Sequence, residues 1–89
     1  MPKPPYLSEY LKLTGRLRDA RLELDLDQSE LARKLGVSQA YISNYERGQK
    51  TLNVVEFVAI CAALGLNPGT EIGLFHMRRS FKLKRSTGS

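Results

Sequence analysis

The sequence has no tryptophan, one cysteine and one histidine. A lone Cys61 excludes an intramolecular disulfide and agrees with a reducing compartment. His76 and Cys61 have no companions at ligand spacing, so no metal centre is expected. No run of about 18 apolar residues occurs, which excludes a membrane-spanning helix. The N-terminus lacks the apolar stretch of a secretory signal, and a cytoplasmic protein is expected. No nucleophile–base pair, paired-carboxylate pocket or glycine-rich phosphate loop stands out. Neither an enzyme nor a cofactor is therefore expected. At 89 residues the chain suffices for one small domain with a modest core. A deep cleft closed by a second domain is not expected at that size.

Positive charge is what the sequence has in excess. The net charge is +5 and the pI about 9.7, the electrostatic footprint of a nucleic-acid binder. The excess is unevenly placed. Residues 1–27 carry five Lys/Arg and five Asp/Glu, and residues 28–65 carry four against three. Residues 66–89 carry five against one, so the surplus lies at the C-terminal end. There Arg78, Arg79, Lys82, Lys84 and Arg85 can either grip phosphates or keep a tail solvated, and both readings stand.

Along the chain, three prolines in Met1–Pro5 imply an extended arm over 1–7. The domain is expected over 8–77, and residues 78–89 read as a basic, disordered tail. Leu13, Leu17, Ala20 and Leu24 recur at helical spacing within Ser8–Leu24, with Gly15 delaying the firm start to Thr14. Asp25 is placed to take a left-handed conformation at the helix end. A second helix runs from Gln28 to Leu35, with Asp27 and Glu30 spaced as a capping box and Gly36 as its stop. A third runs from Ser38, its cap, to Arg47, with Ile42 and Tyr45 inward. Asn53 and Glu56 cap a fourth, whose apolar face reads Val54, Phe57, Val58, Cys61 and Leu64, flanked by Ile60. Cys61 reads as a small core residue. After Pro68 a weak fifth helix is open, with Ile72 and Phe75 as a small stripe and Gly69 and Gly73 against it. Phe81–Lys84 alternates like a strand.

Residues 28–47 have a mechanical logic. Two short helices meet at a turn too tight for antiparallel packing. Ala32 is small at the crossing, Gly36 permits the turn, Val37 plugs it and Ile42 pins the second helix. That helix then projects Gln39, Ala40, Ser43 and Asn44 outward. Gln and Asn can pair with adenine N6 and N7, and Ala can touch a thymine methyl. Free amides near Gln28 and Ser38 suit phosphates.

At Gln28, Leu31-Ala32, Leu35-Gly36-Val37-Ser38, Ile42-Ser43, Glu46-Arg47-Gly48 and Ala63-Leu64-Gly65 the segment from Leu17 to Leu66 resembles the XRE family. That prokaryotic and phage group of helix-turn-helix domains includes the phage repressors and Cro proteins. The resemblance implies an all-α, compact, lambda-repressor-like bundle of four to five helices, its third helix in the major groove. It implies that Gln39, Ala40, Ser43 and Asn44 face bases. It places Gln28, Tyr41 and Lys50 at the DNA backbone, where the free amides at Ser38 also put that residue, and makes Arg21 and Glu46 an architectural pair. Tyr41 stays open between backbone contact and covering the core. Arg33 stays open between a solvated face and phosphate, and Arg47 between phosphate and the helix dipole. The chain departs from the family at Asp25, where glycine is usual, and at Leu52, where proline is frequent. Glycines at 69 and 73 make the fifth helix poorer.

The function expected from this is sequence-specific double-stranded DNA binding by a transcriptional regulator, a repressor acting at an operator as a homodimer. The alternative is an antitoxin or DNA-binding subunit whose partner is a toxin or larger regulator.

Overall fold

The computed structural model describes residues 6–73, five α-helices with no strand among the described residues. They are α1 (Leu7–Glu23), α2 (Gln28–Leu35), α3 (Gln39–Glu46), α4 (Val54–Leu64) and α5 (Pro68–Gly73). The all-α bundle expected from the sequence is the architecture found. Most of the 1–7 arm, together with Phe75, His76, Phe81–Lys84 and the basic tail, lies outside the described residues.

Local chemistry sets most boundaries. Asp27 accepts from the Glu30 amide at 2.8 Å while Glu30 accepts from the Asp27 amide at 2.8 Å, a reciprocal capping box. Asn53 and Glu56 repeat it at the start of α4. Gly36 and Gly65 end α2 and α4 with φ of 71° and 73°, which glycine takes without a Cβ clash. Asp25 turns the chain between α1 and α2 with φ of 56°, a left-handed conformation that Asp tolerates.

The core joins Leu17 and Ala20 of α1 to Leu31 and Ala32 of α2, Ile42 and Tyr45 of α3, and Phe57, Ile60, Cys61 and Leu64 of α4. Val37 packs against it and plugs the α2–α3 turn.

Four expectations are corrected. The first helix does not wait for Thr14; it begins at Leu7 despite Gly15. Its first turns are held from outside, because the Tyr10 hydroxyl donates to the Lys50 carbonyl and accepts from the Leu52 amide at 3.0 Å. Two tertiary bonds outweigh the roughly 1 kcal/mol that one glycine costs a helix. Leu24 is not on the buried face; it follows the last turn and is exposed, and Leu26 packs on the core instead. On α4, Ile60 is buried while Val54 and Val58 are exposed. Ile72 is also exposed, and the residue of α5 that turns inward is Glu71. Its carboxylate takes two bonds from Arg16, at 2.8 and 3.4 Å, which tie α5 to α1.

Leu52 explains its own departure from proline. Its amide is the donor to the Tyr10 hydroxyl, a bond that proline cannot make.

Candidate nucleic-acid interface

The outward face of α3 is anchored by a relay of side chains. Arg21 donates from Nε and Nη2 to the two oxygens of Glu46, at 2.7 and 3.0 Å, and from Nη1 to the Leu26 carbonyl at 2.7 Å. Both side chains are nearly fully buried. Glu46 Oε1 also accepts from Gln28 Nε2 at 3.0 Å, and Gln28 Oε1 accepts from Gln39 Nε2. The carboxylate can only accept, so it dictates which end of the Gln28 amide faces it. Gln28 then dictates the orientation of Gln39. One N–H of Gln39 is used, leaving its Oε1 and second N–H outward, a donor–acceptor pair of the kind that matches an adenine edge.

Ser38 Oγ caps α3 by accepting from the Tyr41 amide at 3.1 Å. The Gln39 and Ala40 amides have no intrahelical acceptor, as at any helix start. Gln39 and Ala40 are exposed, and Ser43 and Asn44 are half-buried. Asn44 lies beside Arg47, whose Nη2 donates to Asn44 Oδ1 at 2.8 Å and to Gln49 Oε1 at 3.3 Å. A guanidinium only donates, so Oδ1 must face it and the Asn44 NH₂ is turned away.

Tyr41 and Lys50 meet at the opposite end of the site. The Tyr41 hydroxyl donates to Glu56 Oε2 at 2.9 Å, and Lys50 Nζ is 3.4 Å from the same oxygen and 5.0 Å above the Tyr41 ring. The ring also meets Tyr45 edge-on, centroids 6.1 Å apart. Tyr41 thus packs against the core, half-buried, with its hydroxyl tied to Glu56. Burial first, and then the Glu56 bond, push that hydroxyl up to about 12. The Asn53 amide, the Tyr41 hydroxyl and the Lys50 ammonium hold the Glu56 carboxyl below its ordinary value. Arg33, exposed on α2, joins none of these clusters.

The structure therefore brings together Gln28, Gln39, Arg21 and Glu46, pairs Asn44 with Arg47, and groups Tyr41 with Lys50. Sequence reasoning gave Glu56 only its capping role and gave Tyr10 none. Nothing local marks Tyr10, whose partners lie some 40 residues away in sequence. Among the described residues no group of three or more His, Cys, Asp or Glu can hold a metal ion. No described helix is long and apolar enough to cross a membrane.

A tight α2–α3 corner with a polar face projected from α3 is the decisive geometry, and the profile of the helix-turn-helix family matches residues 17–70. The chain belongs to the helix-turn-helix family. It is of the XRE type that the sequence resembles. A curated relative is the uncharacterized transcriptional regulator in the ATPase CF(0) region of Rhodospirillum rubrum, 41% identical over 51 residues. That match covers 57% of this chain, which spans about half (47%) of the relative's length. Among solved structures, the restriction-modification controller protein C.AhdI from Aeromonas hydrophila superposes with a TM-score of 0.69 at 28% identity. It is matched over 99% of its length and 76% of this chain. The P22 c2 repressor, solved with a synthetic operator, superposes with a TM-score of 0.60 at 30% identity. That match covers 66% of this chain and 89% of the repressor chain. The family and fold are those of DNA-binding regulators.

Proposed function

We propose that this helix-turn-helix chain is a cytoplasmic transcriptional regulator and not an enzyme, a repressor that binds operator DNA as a homodimer. The observation that carries the reading is the Arg21–Glu46–Gln28–Gln39 relay, which holds an amide of chosen orientation on the exposed face of α3. Gln39, Ala40, Ser43 and Asn44 read base edges in the major groove. Gln28, Ser38, Arg33, Arg47, Tyr41 and Lys50 grip the phosphate backbone and set the register. Exposed Val54 and Val55, each more than three-quarters accessible, supply apolar surface for a second copy. Operator-bound P22 c2 repressor and the C.AhdI controller support the same role by similarity.

Selection of bound duplexes from a random pool tests the reading. It is expected to recover a motif with two half-sites about 10 base pairs apart, centre to centre. Recovery of no motif above the unselected pool would contradict sequence-specific binding. A single, unrepeated half-site would contradict the dimer alone.

A further inference from the structure

Glu56 is an anion in a place where a DNA-binding surface gains from cations. Both of its oxygens are engaged. Oε1 accepts from the Asn53 amide at 2.9 Å and belongs to the α4 cap. Oε2 receives the Tyr41 hydroxyl at 2.9 Å and the Lys50 ammonium at 3.4 Å. These are two of the groups assigned above to the phosphate backbone. The cluster is braced from α1, because Tyr10 donates to the Lys50 carbonyl and accepts from the Leu52 amide. The base of Lys50 is therefore held in place, and its ammonium lies over the Tyr41 ring beside the carboxylate. Half of the Glu56 carboxylate suffices for the cap, as a glutamine at this position would also provide. The other half acts on the interface.

We propose that Glu56 is a built-in counter-charge that holds Lys50 and Tyr41 in the unbound protein and sets the strength of the phosphate grip without altering the choice of sequence. A phosphate approaching Lys50 competes with a carboxylate already there, and it meets that carboxylate's own repulsion. Both effects are independent of the bases, because phosphate contacts carry no direct sequence information. The proposal rests on the reading of Lys50 as a backbone contact.

Glu56→Gln in the full chain separates charge from shape. The amide keeps the oxygen that caps α4 and loses the charge that holds Lys50. Binding is measured to the best duplex recovered by selection and to a mixed-sequence duplex of equal length, across a salt series. Affinity for both is expected to rise by the same factor, roughly three- to fivefold at low salt. The slope of log K against log salt is expected to steepen by up to about 0.9, the equivalent of one phosphate contact. In the background of Lys50→Ala the gain should shrink to nearly nothing. A thermal melt of each variant confirms that the fold is kept. If Glu56→Gln changes neither affinity while Lys50→Ala weakens both, the proposal is overturned and the reading of Lys50 stands. Weaker binding by Glu56→Gln also overturns it, since the carboxylate would then be orienting the contacts. A rise confined to the selected duplex overturns the claim that sequence choice is untouched. If Lys50→Ala leaves both affinities unchanged, the backbone reading itself fails, and the proposal with it.

Discussion

Arg16 and Arg21 leave α1 five residues apart, and each donates two guanidinium bonds to a glutamate on a later helix. Arg21 reaches Glu46 at the end of α3, and Arg16 reaches Glu71 in α5. The chemistry is the same, yet the settings differ. The Arg21–Glu46 side chains are 7% and 2% exposed, and those of Arg16–Glu71 are 36% and 4%. A buried pair broken from one side strands a charge without water, whereas a half-exposed arginine can be rehydrated. The pairs also differ in what lies beyond them. Glu46 passes the constraint to Gln28 and on to Gln39 at the exposed start of α3. No such extension from Glu71 is seen among the described residues. One pair holds the site, and the other holds a short terminal helix against the bundle.

The largest effect is expected where the relay is cut. Glu46→Ala leaves the Arg21 guanidinium buried and unpaired, at a cost of about 3–5 kcal/mol. Urea unfolding should show it. A cost below about 1 kcal/mol would mean that water reaches Arg21 freely, and the contrast between the pairs would vanish. Glu71→Ala is expected to cost less, about 1–2 kcal/mol, and to leave DNA affinity unchanged. If it weakened DNA binding as strongly as loss of Glu46, α5 would have to belong to the site.

Tyr45 lies beside the buried pair inside the core, where both partners' charges act on it. Its ring is fully buried, and its hydroxyl has no hydrogen-bond partner among the described residues. Tyr45→Phe removes an unsatisfied polar atom and is expected to stabilise the fold by up to about 1 kcal/mol in the same unfolding assay. A loss of stability would point to a partner for that hydroxyl. Burial, with the Glu46 charge second, raises the Tyr45 hydroxyl above the ordinary phenol value. Tyr41 is raised to about 12. Both folded values exceed the unfolded value of 10, so the neutral phenols contribute stability in full below about pH 10. That stability is lost as the pH rises through about 12 for Tyr41. An alkaline stability titration should show the decline, and Tyr45→Phe should make it shallower. A stability curve flat from pH 10 to 12 would contradict the burial of these groups.

What could be read from the sequence was chiefly local. The Asp27–Glu30 and Asn53–Glu56 boxes, the Gly36 and Gly65 stops and the Asp25 turn each depend on neighbours within a few residues, and the structure has each in place. The inward faces of α2 and α3 were legible because polar residues border them. The face of α4 was legible only in part: Phe57, Cys61 and Leu64 are buried as expected, but Val54, Val55, Val58 and Ile60 are apolar too, and periodicity could not choose among them. Contacts over long separations left no local trace. Arg16 and Glu71 are 55 residues apart, and Tyr10 bonds to positions 40 and 42 residues away. The Arg21–Glu46 pair came from family resemblance, which gave it an architectural role. Its extension through Gln28 to Gln39 is the structure's addition, and it links the architectural pair to the exposed start of α3.

In the proposed function the relay presents Gln39 for direct readout of a base. Gln39→Ala, measured against the selected operator and against every single-base variant of one half-site, decides whether it does. Discrimination is expected to fall by about 1–3 kcal/mol at one or two adjacent positions and to stay unchanged elsewhere. An equal loss of affinity for all sequences, with discrimination intact at every position, would contradict it.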